Sequence, residues 1–539
     1  MHSQNNYYFA NMNTRGATPQ QSPQGGWTPT PRPVTEHLAR KRRRKVLLIS
    51  LFVGALVIAT VLGAASVLRG NSTIVAQEGG QAPVSIDLNQ SFPISPYLLG
   101  SNVFPKVGTN SKDAALSGFM SYSPQVVAGL KSAHVQLLRF PGGNWGEEHT
   151  PSVEQLNDFS DLLNQVGAEG IMQVQLSDPN DITPVPLDTR ATRASLLVDY
   201  MNNRQSIQRL GQNSPFHPIK YWTIGNEPDL LINPDTGKKF TVADYVNDFI
   251  TYSLAMHQRD PNIKIFGPEI SQYQGQAQEP KDATRALWMD DFLKGIAAYE
   301  RTNSLPFHIL DGVSFHRYPF GPTGENANAL LNNPAQWDSA LPTLRQFIVN
   351  QFGTDLPIAI TEINTNSGKG IPAQNLAAAW WAETLGELMS NQVQYVTFFS
   401  TEGVNAPYPL FTTPNLNETA LLRVMQLFAQ LQNNLVPLQG QNGPVSIYAT
   451  QDGAHNTVSL FLVNKTATDQ QVSIHADSIL PLTSWHSANV NLHSYDLMVL
   501  TLHRNGSNEA LSFSNSQSTQ QNAPALQHLQ CGDNTNGTC

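Results

Sequence analysis

The chain contains little cysteine and little charge. Its only two cysteines, Cys531 and Cys539, both lie close to the C-terminus of 539 residues. This usage excludes a disulfide scaffold and a cysteine-ligated metal site, although the two can close a small loop in an oxidising environment. Charged residues make up only 14% of the chain, with a formal net charge of −9. Nucleic-acid-binding surfaces concentrate Lys and Arg along one face, so no nucleic-acid partner is predicted.

The obvious cluster of positive charge precedes a long apolar segment. Residues 37–45 have the sequence HLARKRRRK, and residues 46–68 contain no charged side chain. A helix of this length extends about 34 Å at about 1.5 Å per residue, which is enough to span a bilayer. The basic flank is expected to stay cytoplasmic, which predicts a single-pass cell-membrane protein whose later residues are extracellular. A cleaved signal peptide, with small residues at 64–66, is the alternative.

Polar segments separate or flank the predicted folded domains. Residues 1–45 are rich in Asn, Gln, Pro and Gly and predict a disordered cytoplasmic tail, and residues 69–81 form a short linker. Residues 504–539 are rich in Ser, Asn and Gln and are also predicted to be disordered. The predicted folded domains are 82–434 and 435–503.

Short apolar runs alternate with longer helical patterns in the first of these domains. Eight of the runs are mostly apolar on both faces and end in turn residues, as buried parallel strands do. Eight strand–helix units predict an α/β fold, a (β/α)8 TIM barrel, with functional residues at the C-terminal ends of the strands. An open doubly wound sheet shows the same alternation. The eight runs are 97–102, 135–143, 170–177, 221–228, 263–270, 312–319, 358–364 and 395–400.

The pattern changes to short alternating strands after residue 434. This change predicts a small antiparallel β-sandwich domain on the C-terminal side of the barrel. Residues 82–95 include a strand-like run at 83–88 that can add a strand to the same domain. The predicted strands of this domain are 445–449, 457–464, 471–475, 487–492 and 496–502.

Two glutamates end two of the predicted barrel strands. Glu227 lies in YWTIGNEP at 221–228, and Glu362 lies in IAITEIN at 358–364. They belong to the fourth and seventh strands of the barrel, whose ends can hold two distant residues face to face. Cleavage of a glycosidic bond with retention needs a carboxylic acid and a carboxylate about 5 Å apart. We predict that Glu227 is the acid/base and Glu362 the nucleophile, whereas Glu269, which ends the fifth strand, has no partner motif.

Polar residues at other strand ends complete the predicted site. Arg139 ends the second strand, and the glycines before Asn144 allow close approach of the backbone to a ligand. His316 and Tyr318 are two residues apart and therefore lie on the same face of an extended strand. A structural ion pair for Arg139 and a buried core position for His316 are the ordinary alternatives. The predicted residues that bind the substrate and orient the nucleophile are Arg139, Asn144, Asn226, His316 and Tyr318.

These motifs resemble those of clan A glycoside hydrolases. GNEPDL at 225–230 and EINTNSGKG at 362–370 are similar to family 79, the heparanase and β-glucuronidase group. RFPGGN at 139–144 is closer to the family 51 arabinofuranosidases, and family 39 β-xylosidases share the layout. The resemblance extends over about 83–502. It implies a retaining mechanism with a covalent glycosyl-enzyme intermediate, a barrel with a β-sandwich built from both ends of the domain, no metal and no cofactor.

The expected activity is hydrolysis of a β-linked glycoside in an oligosaccharide or polysaccharide, with a β-glucuronide among the candidate substrates. Arabinofuranosidase and β-xylosidase activities of the same clan are alternatives, and transglycosylation uses the same intermediate. A different class of alternative is a catalytically silent carbohydrate-binding protein that keeps the barrel as a scaffold. Such a protein needs neither an acid nor a nucleophile, so the presence of both glutamates favours an enzyme.

Overall fold

A computed structural model describes the chain from residue 72 onwards, with gaps. The predicted cytoplasmic tail, 1–45, and the predicted transmembrane helix, 46–68, lie outside the described residues. In the part of the chain that is described, no helix combines the length and the apolar character needed to cross a membrane. The described ranges are 72–74, 84–107, 118–177, 184–209, 214–275, 279–321, 326–368, 372–402, 409–439, 443–475, 479–480, 488–520 and 522–531.

Eight parallel strands close into a barrel, as the sequence predicts. Thr397 of the eighth strand pairs with Gly100 of the first, and this pairing rules out the open doubly wound sheet. Each strand begins and ends inside its predicted range or within one residue of it, because strands buried on both faces have continuous apolar sequences. The barrel strands are Gly100–Asn102, Leu137–Phe140, Glu169–Val174, Tyr221–Ile224, Lys264–Ile270, Gly312–Arg317, Ile358–Ile363 and Tyr395–Phe398.

Helices with local start and stop signals connect the strands. In Val153–Val166, Ser152 and Gln155 exchange side-chain and backbone hydrogen bonds in a capping box, and Gly167 ends the helix at φ 80°. Such caps satisfy backbone groups that have no partner inside the helix. The α-helices are Pro124–Ser132, Trp145–Glu148, Val153–Val166, Leu187–Asn202, Val242–His257, Trp288–Thr302, Ala327–Asn332, Trp337–Phe352, Gln374–Ser390 and Ala420–Phe428, and the 3-10 helices are Pro96–Leu98, Pro334–Gln336 and Asn515–Gln517.

Aromatic side chains fill the N-terminal end of the barrel. Tyr221 and Tyr395 are the first residues of the fourth and eighth strands, and their ring centroids are 5.1 Å apart. Tyr97 stacks on Tyr395 at 5.4 Å, and Phe266 lies 5.0 Å from the same ring. Because this end is packed with rings, a binding pocket is expected at the C-terminal ends of the strands.

The second domain is a β-sandwich with a large antiparallel sheet. A second layer contains Gln470–Ile474 paired with Ala488–Leu492 and Val84–Ile86 paired with Leu438–Gln439. Leu460 of the large sheet shares one buried apolar core with this layer, as expected for sheets packed face to face. The large sheet has the order Gln527–Gln530, Glu509–Phe513, Leu497–His503, Thr457–Asn464, Val445–Gln451, Asn434–Val436 and Phe92–Pro93, and Ser72–Ile74, Ile232–Asn233 and Lys238–Lys239 are further short strands.

The β-sandwich includes residues from before the barrel and more of the C-terminal segment than the sequence predicts. Phe92–Pro93 lies in the range 82–95 that is expected to add a strand, and it pairs with Asn434–Val436. Glu509–Phe513 and Gln527–Gln530 extend the same sheet, which corrects the prediction of a disordered tail for the described part of 504–539. The polar composition of this segment conceals the strands, because they are stabilised by pairing with the preceding strand and not by an apolar run of their own. Cys531, just after the last strand, is disulfide-bonded.

The helix Gln374–Ser390 of the barrel packs directly on the β-sandwich. The ring of Tyr448 lies so close to Gly386 that a Cβ atom there would come within 2.2 Å of it. The hydroxyl of Tyr448 donates a hydrogen bond of 3.0 Å to Glu387. A glycine at this position therefore allows the sheet and the helix to approach each other closely.

Replacing Phe513 by Ala tests whether the C-terminal segment is part of the folded protein. Phe513 is fully buried, so its truncation is expected to lower the free energy of unfolding by about 3–5 kcal/mol, measured by urea denaturation. Phe92, in the strand at the other edge of the sheet, is 38% exposed and serves as the matched control. Its replacement by Ala is expected to cost less than about 1.5 kcal/mol. Equal, small effects of both substitutions would contradict the described sheet.

Candidate active site

Side chains from six barrel strands converge at the C-terminal end of the barrel. Each lies within its strand or in the two or three residues that follow it, where the backbone leaves the barrel wall. This is the end at which the active sites of TIM-barrel enzymes lie. The converging side chains are Asn102, Arg139, Asn226, Glu227, Glu269, His316, Tyr318 and Glu362.

The two predicted catalytic glutamates face each other across this pocket. A carboxylate oxygen of Glu227, a carboxylate oxygen of Glu362 and a ring nitrogen of His316 all lie within 4.8 Å of one another. The side chain of Glu362 is 5% exposed and that of Glu227 is 15% exposed. Carboxyl groups about 5 Å apart suit a retaining glycosidase, whereas inverting enzymes keep about 6.5–9.5 Å between them.

The backbone around Glu227 is held in an unusual conformation. Gly225 has φ 78° and Glu227 has φ 47°, so the chain turns sharply as it leaves the fourth strand. The amide of Glu227 donates a hydrogen bond of 2.9 Å to the carbonyl oxygen of Glu269 on the fifth strand. Asp229 accepts a hydrogen bond of 2.8 Å from the amide of Ser271, also on the fifth-strand side. These bonds hold the turn that directs Glu227 into the pocket.

Arg139 binds Glu362, the predicted nucleophile, and does not face the open pocket. Its side chain is fully buried. Nη1 donates hydrogen bonds of 2.9 Å to Glu362 and to Asn102, and Nη2 donates at 2.8 Å to Glu269 and at 2.9 Å to Asn226. Arg139 therefore orients the catalytic groups and has no surface on which to contact a sugar.

His316 and Tyr318 both contact the glutamates, as expected for residues on one face of a strand. The hydroxyl of Tyr318 donates a hydrogen bond of 2.8 Å to Glu362. Nδ1 of His316 lies 3.0 Å from Glu227 and 3.5 Å from Glu362. Tyr318 is 8% exposed and His316 is fully buried, so neither is a broad platform for substrate.

The loop after the second strand forms part of the pocket mouth. Asn144 is exposed there, and its side-chain oxygen accepts a hydrogen bond of 3.1 Å from Asn226. Gly143 has φ 55°, and a Cβ atom at this position would come within 3.2 Å of a carboxylate oxygen of Glu362. A glycine is needed here because the backbone both adopts the left-handed region and passes close to the nucleophile.

Burial and charge act on the ionisable groups in opposite directions. Burial raises the pKa of Glu362, while the positive charges of His316 and Arg139 oppose that rise and nearby Glu227 adds to it. Burial alone would lower the pKa of His316, but Glu362, Glu227 and Glu269 raise it to about 10. Burial alone would raise the pKa of Glu269, but Arg139 and His316 lower it to about 2.

The charges in the pocket can be counted from these pKa directions. At neutral pH Arg139 and His316 are positive and Glu269 is negative. The buried site is then electrically neutral when Glu227 and Glu362 together carry one negative charge. That state, with one proton on the pair, is the one that a general acid beside a carboxylate nucleophile requires.

The carboxylate oxygens of Glu227 and Glu362 and a ring nitrogen of His316 lie close enough together to be compared with a metal-binding site. A metal would need an unprotonated nitrogen of His316, because only the neutral ring is a ligand. The surrounding carboxylates instead favour the protonated ring, which donates its Nδ1 hydrogen to Glu227. The hydrogen bonds thus fit an acid and a nucleophile better than a metal centre.

The structure places two further buried residues in the site: Asn102, which the sequence analysis did not name, and Glu269, which it named without giving it a role. Asn102 ends the first strand, and its side-chain nitrogen donates a hydrogen bond of 2.9 Å to the carbonyl oxygen of Thr361, next to the nucleophile. Glu269 is fully buried and bound to Arg139 at 2.8 Å. The sequence signal for Asn102 and for Glu269 is a polar residue at the end of an apolar strand. This signal does not show which residue of another strand each of them binds.

The chain is similar in sequence to one known family. The model of glycoside hydrolase family 44 matches residues 140–320, about a third of the chain, from the end of the second barrel strand through the sixth. This span includes Glu227 and His316. No protein with curated function matches the chain.

Solved structures of glycoside hydrolases share the fold. A family 44 endoglucanase from Clostridium acetobutylium is 14% identical with a TM-score of 0.55, over 78% of this chain and 99% of that one. A family 51 α-L-arabinofuranosidase from Bifidobacterium longum is 17% identical with a TM-score of 0.53, over 73% and 88%. A family 44 xyloglucanase from Paenibacillus polymyxa is 16% identical with a TM-score of 0.50, over 72% and 88%.

At these identities the structural likeness shows the fold, a (β/α)8 barrel with a β-domain. The family model covers the barrel strands on either side of Glu227, and with the paired glutamates it identifies the chain as a glycoside hydrolase. These similar proteins belong to families 44 and 51, so the resemblance to family 79 gains no support from them.

Proposed function

We propose that the protein is a retaining glycoside hydrolase that cleaves a β-linked glycan through a covalent glycosyl-enzyme intermediate. Glu362 is the nucleophile and Glu227 is the acid/base. The observation that carries this proposal is the approach of their carboxylate oxygens to within 4.8 Å at the open end of the barrel. That distance leaves room for one anomeric carbon between the two groups, but not for a separate attacking water.

In the first step Glu362 attacks the anomeric carbon. Arg139 holds one oxygen of the carboxylate and Tyr318 holds the other, so its plane is fixed before the substrate arrives. A bond forms between the carboxylate and the anomeric carbon as the bond to the leaving oxygen breaks. Glu227 transfers its proton to that oxygen and becomes a carboxylate.

In the second step Glu227 acts as a base. His316 donates to its carboxylate from Nδ1 and stabilises the new negative charge. Glu227 removes a proton from water, the water oxygen attacks the anomeric carbon, and the ester bond to Glu362 breaks. When a sugar hydroxyl takes the place of water, the same chemistry gives transglycosylation.

A neutral glucan backbone is the substrate that we propose. The family model belongs to family 44, and the two family 44 structures are of an endoglucanase and a xyloglucanase. A β-glucuronide would need hydrogen-bond donors for its carboxylate, and cations are the strongest of these. The cations that the described residues place in the pocket, Arg139 and His316, are buried and bound to the glutamates. This arrangement favours a neutral sugar over the uronide suggested by the resemblance to family 79.

An α-L-arabinofuranoside is the second candidate substrate. The motif RFPGGN at 139–144 and the similarity in fold to a family 51 arabinofuranosidase favour it. Both candidates use the same two glutamates, because the mechanism of retention does not depend on which ring is bound.

We also propose that residues 46–68 anchor the enzyme in the cell membrane, with residues 1–45 in the cytoplasm and the catalytic domain outside. The support is the basic cluster at 37–45 followed by an uncharged apolar run. A membrane-anchored hydrolase of this orientation would act on glycans at the cell surface or in the surrounding medium.

Replacing either glutamate should separate the two catalytic roles. Glu362→Ala is expected to reduce kcat by on the order of 10⁴-fold or more while circular dichroism shows an intact fold. On an aryl glycoside with an acidic phenol, Glu227→Ala should keep much of its kcat/KM because that leaving group needs no proton, whereas kcat should fall because water attack loses its base. Exposed Glu154, in the first turn of a helix, gives the matched control Glu154→Ala, which should keep wild-type rates. Near-normal turnover by Glu362→Ala would reject the assignment.

A panel of glycosides tests the substrate and the stereochemistry together. We expect hydrolysis of xyloglucan or a β-glucan, little cleavage of an aryl β-glucuronide, and an initial product of retained anomeric configuration by proton NMR. Preferred cleavage of an aryl α-L-arabinofuranoside would select the second candidate. Inverted product would rule out a covalent intermediate on Glu362.

Fractionation of cells that express the full chain tests the anchor. The protein should sediment with membranes, resist extraction by high salt or carbonate, and be released by detergent. Replacing three apolar residues of 46–68 by Lys should release it, because charges are costly in the bilayer centre. Release of the wild-type protein as a shorter, soluble chain would indicate the cleaved signal peptide instead.

A further inference from the structure

Glu269 is a third carboxylate in the pocket, and the mechanism above gives it no step. Its side chain is fully buried on the closed side of the pocket, so it cannot contact a sugar. A buried carboxylate costs several kcal/mol unless it is paired and hydrogen-bonded. The partners of Glu269 therefore show what its charge does in the site.

Glu269 contacts residues next to each of the two proposed catalytic glutamates. One carboxylate oxygen accepts a hydrogen bond from Arg139 at 2.8 Å and lies 3.5 Å from Nε2 of His316. The other accepts a hydrogen bond of 2.7 Å from Thr361, the residue before the nucleophile. Its carbonyl oxygen accepts from the amide of Glu227 at 2.9 Å. Glu269 thus lies behind both catalytic glutamates.

A role as the counter-ion of Arg139 alone does not account for this position. Arg139 already has a carboxylate partner in Glu362 at 2.9 Å. The imidazole of His316 lies between the two sides of the pocket, with Nδ1 towards Glu227 and Nε2 towards Glu269. The carboxylate of Glu269 therefore faces the one ring nitrogen that does not point at the reacting groups.

We propose that Glu269 is a positioning residue that binds Arg139 and His316 from the closed side of the pocket, so that both keep donating hydrogen bonds to the catalytic glutamates. This inference rests on the proposed function. In a neutral His316 ring with its hydrogen on Nε2, Nδ1 would carry a lone pair. That lone pair would accept the proton of Glu227, which the leaving oxygen needs. A negative charge at Nε2 favours the doubly protonated ring, whose Nδ1 can only donate.

The direction of the pH effect follows from the charges around the ring. The pKa of His316 is raised to about 10, so the folded protein keeps this proton as the pH rises well above the ordinary value of 6.5. Removing one of the surrounding negative charges should lower that pKa, and the ring should lose its proton at a lower pH. The other titratable groups around the ring are Glu227, Glu362, Arg139 and Tyr318.

The test compares wild-type protein with Glu269→Gln, using the full chain in detergent and labelled with ¹⁵N-histidine. The ring signals of His316 are assigned from their absence in His316→Asn. In the Gln variant the titration of His316 should move down by at least about one pH unit. The alkaline limb of kcat/KM should move in the same direction, with a larger loss in kcat than change in KM.

Two further variants separate charge from packing. Thr361→Val removes the hydrogen bond to Glu269 but keeps its charge, so the titration of His316 should stay within about 0.3 pH unit of wild type. Glu269→Asp keeps the charge but moves it away from the ring. Its downward shift of the His316 titration should therefore be smaller than that of Glu269→Gln. The Asp variant also serves as the test if the Gln variant does not fold.

The outcomes distinguish this inference from the proposed function. An active wild type whose folded Glu269→Gln or Glu269→Asp variant shows an unshifted His316 titration and pH profile would overturn the inference alone. An equal shift in Thr361→Val would also overturn it, because packing would then explain the effect. Wild-type protein that hydrolyses no glycoside would overturn both.

Discussion

The buried guanidinium of Arg139 is the interaction on which the rest of the site depends. It joins the second barrel strand to the first, fourth, fifth and seventh through Asn102, Asn226, Glu269 and Glu362. A buried charge is costly unless it is paired and hydrogen-bonded, so the groups that bind Nη1 and Nη2 are needed to stabilise the guanidinium where it lies. The barrel brings these strand ends together, and the guanidinium fixes the distances between the groups they carry.

The balance of charge in the pocket links this structural role to chemistry. Two buried cations face three carboxylates, and a single shared proton would make the set neutral. The proposed mechanism uses that state to give two glutamates different roles, one as acid and one as nucleophile. Tyr318 and Arg139 stabilise the charged form of Glu362, while His316 is placed to stabilise Glu227 after it has given up its proton.

The sequence predicted the barrel and its two glutamates because both depend on local patterns. Strands buried on both faces are continuous apolar runs, and the spacing between Glu227 and Glu362 assigns them to particular strands. It did not predict the roles of Asn102 and Glu269, since their partners are set by barrel closure and strand register. It also missed Glu509–Phe513, because a strand of five residues inside a long polar segment does not stand out from a disordered tail.

The strand Phe92–Pro93 connects the segment before the barrel to the segment after it. It lies before the barrel in sequence, yet its hydrogen-bonding partner, Asn434–Val436, follows the last barrel helix. During synthesis this segment must therefore remain without its partner until the whole barrel has emerged from the ribosome. The catalytic barrel is in effect an insertion within the β-sandwich. Neither domain can therefore be exchanged as an independent unit, because a chain break at its boundary would separate two paired strands of one sheet.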